Sequence, residues 1–478
     1  MRIVLAASEA APYIKTGGLA DVMQALPAAL TKYRDVETNL FLPLYSKIKN
    51  NPEFQLEKIT DFTIYLGWRE QYVGLYQLKS RSKKKKVFFI DNEYYFDRAK
   101  IYGDGDDAER FVYYCKAVLA CVTYLDIQPE ILHCNDWQTA FIPVLMRSEF
   151  ADQYQNTKCV FTIHNIEDQG WTSADFFSSV MALPEEWRSV VTMGDAVNLM
   201  KGAIMTADRV TTVSRTYADE LHYSYFAHGM EGCLAMRGSA VGGIVNGIDT
   251  TVFNPASDKL LPVTYDADTM IEGKAACKAA LQQAVGLEVR PDVPVMAMVT
   301  RLAGHKGIDL LCYLMEQLME RDVQLVICGT GEARFEEALA AANDRYPGKM
   351  AAILRYDAKL ANQIYAGADI YLMPSQAEPC GLSQLIAMHY GTVPVVHATG
   401  GLRDTVIPYN PETEEGRGFT FQSYNGEDFL NAIDRAVELY GDKDAWNRLA
   451  EKDMREDFSW KVPAKEYMAM FRELCEEN

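Results

Sequence analysis

A chain of 478 residues, 49% apolar and 24% charged, is longer than one hydrophobic core normally organises and has ordinary globular composition. Those proportions exclude wholesale disorder, a collagen-like fibre and a coiled coil, and leave two large domains or three ordinary ones. The net charge of −19, from 47 basic and 66 acidic residues, sets the surface against nucleic acid and anionic lipid.

In chain order, strands are predicted at 2–7, 38–44, 131–134, 158–163 and 209–213. After a break they resume at 243–246, 294–299, 323–328, 350–355, 370–373 and 393–397. These runs are continuously apolar rather than alternating, the pattern of strands buried on both faces of a parallel sheet. Helical patterns lie between them, as at 105–124, 272–284 and 425–440. Strand–helix alternation over the whole length predicts an α/β protein of two doubly wound, Rossmann-like domains. Turn formers crowd the stretch 246–262, N-G-I-D-T-T-V-F-N-P-A-S-D-K-L-L-P, and place the domain boundary there. Residues 1–245 then form one α/β domain and 246–456 a second, with a ligand expected in the cleft at the carboxyl ends of their sheets. The lysine run at 83–86, between Y-V-G-L-Y-Q-L and V-F-F-I, reads as a solvated hairpin tip rather than an anion or glucan contact.

The ten cysteines are scattered without a C-x-x-C pair, which points to reduced thiols and away from a structural zinc site. At the N-terminus the apolar stretch is too short for a signal sequence, and Glu9 follows it. No window approaches the roughly eighteen apolar residues of a membrane span. The expectation is a cytoplasmic protein with no metal, no cofactor and no nucleic-acid or membrane partner. Its oligomeric state, a homo-oligomer included, is left open.

Four polar clusters fall at predicted strand ends. The first is Lys15-Thr16-Gly17-Gly18-Leu19-Ala20-Asp21, a mobile cation beside a glycine pair at a helix start. A second T-G-G-L, at Thr399-Gly400-Gly401-Leu402, occupies the same context in the other half. Paired glycines let a backbone approach a ligand, and the amides of a helix start favour an anion. Thr300-Arg301-Leu302-Ala303-Gly304-His305-Lys306-Gly307 offers a guanidinium fork and a point charge for a diphosphate. Ser375-Gln376-Ala377-Glu378-Pro379-Cys380-Gly381-Leu382-Ser383-Gln384 carries a carboxylate for sugar hydroxyls or developing positive charge, or simply an acid capping a helix. The last cluster gathers His133, Asp136, Trp137, His164 and Asn165, the aromatic, amide and carboxylate groups of a carbohydrate site; their spacing gives no compact metal triad.

Taken in order, Lys15-Thr16-Gly17-Gly18-Leu19, His164-Asn165, Asn246-Gly247-Ile248-Asp249, Arg301 with Lys306-Gly307, and Glu378-Pro379-Cys380-Gly381-Leu382 resemble bacterial glycogen synthases and plant starch synthases. These are retaining glucosyltransferases of the GT-B fold, and the likeness runs from residue 2 to about 460. It implies transfer of glucose from ADP-glucose to the non-reducing 4-hydroxyl of an α-1,4-glucan. By the same resemblance, Arg301 and Lys306 hold the donor diphosphate with Lys15, the Gly17-Gly18 backbone and the Thr399-Gly400-Gly401 loop. Tyr356 stacks on the base, Glu378 is the carboxylate essential to transfer, and Cys380, Gly381 and Leu382 lie on the donor side. His164 and Asn246 grip the donor glucose, while Asp21, Tyr95, Asp136 and Trp137 face the acceptor. A third segment, 457–478, is implied to be a last helix that returns to the first domain, with 457–475 able to make that crossing.

Retention usually points to two carboxylates about 5 Å apart, yet Ile386 stands where the broader E-x7-E pattern has its second glutamate. That favours same-face return over a covalent intermediate. Three positions depart from the family pattern: His305 for a frequent Gln, Asp168 for the Tyr of H-N-x-x-Y-Q-G, and Arg215 for a Pro. Two other readings of the fold are a UDP-sugar transferase or epimerase and a catalytically weak glucan-binding granule protein. Intact Lys15, Arg301, Lys306 and Glu378 argue against the latter.

Overall fold

In the computed structural model, which describes residues 1–476, the first sheet is built around β1 (Arg2–Ala6), whose last four residues are buried. Parallel strands flank it: β2 (Glu37–Pro43) on one side, and on the other β6 (Ile131–Asn135), β7 (Lys158–Ile163), β11 (Arg209–Thr212) and β12 (Val241–Gly243). Beyond β2 come parallel β5 (Lys85–Asp91) and the antiparallel pair β3 (Leu56–Leu66) and β4 (Arg69–Leu78). The order is β12-β11-β7-β6-β1-β2-β5-β4-β3. A separate small antiparallel sheet joins β8 (Trp171–Ser173), β9 (Thr192–Met193) and β10 (Ala196–Asn198).

A second sheet is wholly parallel: β13 (Val295–Val299), β14 (Gln324–Cys328), β15 (Met350–Ile353), β16 (Ile370–Met373), β17 (Val393–His397) and β18 (Phe419–Phe421), in the order β15-β14-β13-β16-β17-β18. Numbered from its own first strand this is 3-2-1-4-5-6, the strand order of a dinucleotide-binding Rossmann sheet. The chain divides into two units, Met1–Asn246 together with Trp460 onward, and Gly247–Ser459, each with its own apolar core.

Some predicted elements differ from those observed. The strand expected at 243–246 is β12, at Val241–Gly243, and it belongs to the first sheet. Gly243 there lies against the Ser214 carbonyl, 2.0 Å from where a Cβ would stand. The run at 350–355 stops at Ile353. In β3, which was not predicted, buried Ile64 and Leu66 alternate with exposed residues, unlike the continuous runs of buried strands, whereas β4 contains Y-V-G-L-Y-Q-L, one arm of the expected hairpin, and pairs antiparallel with β5. Of the lysine run, Lys83 and Lys84 lie in the turn between β4 and β5 while Lys85 and Lys86 open β5, and Lys84 Nζ donates to the Tyr33 and Arg34 carbonyls.

The last helix runs Lys461–Glu476, starting later than 457 because Asp457 turns the chain by accepting the Ser459 amide. Its Ala464, Tyr467, Met468, Phe471 and Leu474 are buried in the core of the first unit. Arg209–Glu473 and Arg215–Glu466 ion pairs bind its outer face. Among the described residues no helix is long and apolar enough to cross a membrane.

Candidate active site

In a doubly wound sheet the neighbours of the first strand depart in opposite directions, which opens a crevice at the carboxyl ends of the strands. The second unit has that reversal between β13 and β16, and two of the four predicted clusters are the loops that leave those strands. They meet through glycine. Gly307 has φ +78°, and a Cβ there would stand 2.2 Å from the Pro374 carbonyl oxygen, so no side chain fits. The Gln376 amide donates to the His305 carbonyl at 2.9 Å, joining the loops.

This join brings Lys306 Nζ within 2.7 Å of Glu378 Oε2, and Ser375 Oγ donates to the same oxygen at 3.0 Å. Glu378 is only 7% exposed, and among the described residues its other oxygen, Oε1, accepts no hydrogen bond. A cavity of about 70 Å³ adjoins the pair, lined by Thr300, Lys306, Ser375, Glu378, Gly381 and Leu382 among others. Arg301 is exposed and makes no ion pair or hydrogen bond among the described residues. Tyr356, in the loop after β15, is 76% exposed, with its ring free to stack.

The second T-G-G-L abuts the same loop. Gly401 donates its amide to the Glu378 carbonyl at 3.0 Å, and a Cβ there would lie 2.2 Å from the Cys380 carbonyl oxygen. One of its predicted anion-binding amides therefore serves the Glu378 backbone. Gln384 fastens the rest of the turn through Nε2, which donates to the Cys380 and Gly381 carbonyls and to Thr405 Oγ1. Gly381 itself has φ +72°. Nothing in the sequence marked Gln384 or Ser375 beyond their place in the cluster.

In the first unit the sheet reverses between β1 and β6, and the other two clusters lie after β1 and at the ends of β6 and its neighbour β7. At the first T-G-G-L the protein supplies its own anion. Glu9 Oε2 accepts the Thr16 amide at 2.5 Å and the Thr16 hydroxyl at 2.9 Å. Burial pushes the Glu9 carboxyl up, while these donors pull it down. Gly17 caps the helix Gly18–Leu30, and Lys15, 42% exposed at its side chain, pairs with Asp21 at 2.7 Å. Lys15 and Asp21, read separately as donor-side and acceptor-side groups, are direct partners.

Asp136 has φ 59°, uncommon for a residue with a side chain. Its Oδ1 accepts the His164 amide at 2.6 Å and the Asn165 amide at 3.2 Å, tying β6 to the end of β7. Burial raises its carboxyl to about 7 against those two donors. The His164 ring meets Asn135 Oδ1 at 3.0 Å, and burial lowers it to about 3. Trp137 packs edge-on against Phe111 and over Gly170, where a Cβ would stand 2.6 Å from the indole. Asp168 Oδ2, at the position of a family tyrosine, accepts from Asn165 Nδ2 at 3.2 Å. Asn246 is buried, and among the described residues its Oδ1 has no hydrogen-bond partner.

Two predicted members lie elsewhere. His133 points into the core, bonded through Nε2 to Thr162 Oγ1 and packed on Tyr467 and Phe471 of the last helix. Tyr95 is fully buried, stacked on Tyr113, its hydroxyl donating to Glu109, which also pairs with Arg69. It shapes the loop after β5 and presents no surface to a ligand. The acidic triplet Asp104, Asp106 and Asp107 is met by Arg98 and Arg110.

Comparison with known proteins adds the following. Residues 2–236 match the family described as the starch synthase catalytic domain, and residues 283–453 match glycosyl transferases group 1. The chain is 45% identical to a glycogen synthase of Exiguobacterium sibiricum, covering 99% of each, and 42% identical to one of Bacillus anthracis, covering 100% of each. Its structure is similar to the catalytic domain of starch synthase IV from Arabidopsis thaliana bound to ADP and acarbose, at TM-score 0.91, 32% identity and 99% coverage of both chains.

Proposed function

The chain belongs to the glycogen synthase family, and on that premise we propose that it transfers glucose from ADP-glucose to the non-reducing 4-hydroxyl of an α-1,4-glucan, with retention of configuration. One observation carries the reading: at the switch point of the second sheet, Lys306 and Glu378 form a largely buried pair, and Arg301, on the same loop as Lys306, makes no ion pair or hydrogen bond among the described residues. Breaking the anomeric bond sends negative charge onto the departing diphosphate. Arg301 and Lys306 stand ready for that charge, and each such preorganised donor is worth about 3–4 kcal/mol in a transition state. Tyr356 offers its ring to the base, and the backbone of Cys380, Gly381, Leu382 and Thr399-Gly400-Gly401 frames the donor.

Glu378 faces the positive charge that develops on the sugar. Lys306 and Ser375 hold its Oε2, so Oε1 is the oxygen left for sugar hydroxyls. A carboxylate committed in this way is a poor nucleophile, and buried Ile386 occupies the place of a second acid. The reaction therefore proceeds on one face. The anomeric carbon parts from the phosphate oxygen, the acceptor 4-oxygen bonds to that carbon, and its proton passes to the phosphate oxygen that has left. Isolation of a covalent glucosyl-Glu378 adduct would overturn this route.

From the first unit, His164 and Asn246 grip the glucose, Lys15 with the Gly17-Gly18 backbone serves the diphosphate, and Asp21, Asp136 and Trp137 serve the glucan. Preference for ADP is supported by the nucleotide bound in the Arabidopsis relative. The test is incorporation of labelled glucose into glycogen from ADP-glucose beside UDP-glucose. Incorporation chiefly from ADP-glucose is expected; incorporation from neither would refute the proposal.

A further inference from the structure

Asn135, the last residue of β6, is fully buried and its amide orientation is dictated by its surroundings. Nδ2 lies 3.1 Å from the Ala6 carbonyl oxygen and 3.3 Å from that of His133. Carbonyl oxygens only accept, so the NH₂ group must face them and Oδ1 must face the other way. There it meets His164 Nε2 at 3.0 Å. An amide oxygen also only accepts, so the proton of that contact belongs to Nε2.

A neutral imidazole carries one N–H, and Nδ1 of His164 therefore keeps its lone pair. Among the described residues Nδ1 makes no hydrogen bond. The rest of the residue is equally fixed. Asp136 holds the His164 amide, while the Asn135 amide donates to Thr139 Oγ1 at 2.7 Å.

We propose that Asn135 is a positioning residue that locks His164 as the Nε2–H tautomer, so that Nδ1 accepts a hydrogen bond from a hydroxyl of the donor sugar. The role rests on the reading above, in which His164 grips the donor glucose. Its logic is that of matched polarity. A neutral sugar offers hydroxyl protons, which need an acceptor, and an imidazolium would supply none. It would also set a positive charge beside a sugar that becomes cationic as its bond breaks. Of the ring's titratable neighbours, His133 is held neutral by burial, while the Asp136 side chain is engaged by the His164 and Asn165 backbone amides and that of Asp168 by Asn165 Nδ2. Burial likewise keeps His164 neutral.

The test reads the tautomer directly in the ligand-free protein, so it does not depend on the donor assay. In protein labelled with [15N]histidine, the seven rings are resolved and His164 is identified by its loss in His164→Gln. A pyridine-like Nδ1 and a protonated Nε2 are expected at neutral pH; a protonated Nδ1 would overturn the proposal. In Asn135→Asp a carboxylate faces the ring and favours imidazolium. Its activity should then fall roughly tenfold for each pH unit below the raised ring pKa, while at pH 8.5 most of the loss disappears. A loss equal at every pH would mean that Asn135 acts only as structure. If that variant does not fold, the wild-type spectrum alone decides.

Discussion

Glu378→Gln removes one charge and almost no volume from the pair at the switch point. Lys306 is left with 18% of its side chain exposed and no counter-charge at 2.7 Å. At an effective dielectric of about 20 the lost attraction is about 6 kcal/mol gross, but most of that had been offset by desolvation of the two ions. Stranding one member of a buried pair typically costs about 3–5 kcal/mol. Here the glutamine carbonyl still accepts from the ammonium and some water reaches it, so about 2 kcal/mol is expected. For a unit of this size that lowers the melting temperature by roughly 4–8 °C. Turnover should fall by about two to three orders of magnitude. ADP makes the experiment decisive, because its diphosphate would give Lys306 a new anionic partner. Saturating ADP should therefore raise the melting temperature of Glu378→Gln by more than that of the wild type. Equal ADP shifts would refute the placement of the diphosphate at Lys306, and an unchanged melting temperature without ADP would refute the energetic argument for the pair.

Other variants separate binding from folding. Arg301→Ala removes an exposed, unpaired cation, so stability should stay within about 0.5 kcal/mol while KM for ADP-glucose rises and turnover falls; steady-state kinetics with thermal melting check both. Gly401→Ala sets a methyl 2.2 Å from the Cys380 carbonyl oxygen. Relief of that clash should cost about 1–3 kcal/mol or more, and should lower activity with it by moving the Glu378 loop, as melting and rate measurements would show. His133 is neutral in the core with its pKa lowered by burial to about 3. The unfolded ring binds a proton below about 6.5, so the contribution is full above that pH and is lost progressively as pH falls from there toward about 3. Between pH 7 and pH 5 this amounts to about 2 kcal/mol. The difference in urea stability between wild type and His133→Gln should shift by that amount in favour of the variant; a constant difference would refute it.

Much of the fold was legible because buried parallel strands are continuous apolar runs, as R-I-V-L-A and Q-L-V-I-C show. Residues 56–66 were not, because this edge strand alternates its burial and resembles loop in a search for runs. At the site, Arg301, Lys306 and Glu378 stood out as charges following strands. Their supports did not. Gln384, Ser375 and Asn135 act through hydrogen bonds to backbone carbonyls or to side chains that only the fold brings into line, and none of these shows as a pattern of residue types. Strand periodicity does not reveal which face a particular side chain takes. His133 and Asn135 share one side of β6, yet His133 meets the last helix and Asn135 meets His164.

The final helix has a consequence for biosynthesis. Tyr467, Met468, Phe471 and Leu474 are core residues of a unit whose other residues end at Asn246. A ribosome makes residues 1–246 first and must then make the whole second unit before those four side chains emerge. During that interval the nascent first unit holds an uncovered apolar face, with the His133 ring among the groups waiting for cover. Its completion waits on synthesis of the whole second unit, so a face built early is covered only by a helix from beyond the other unit.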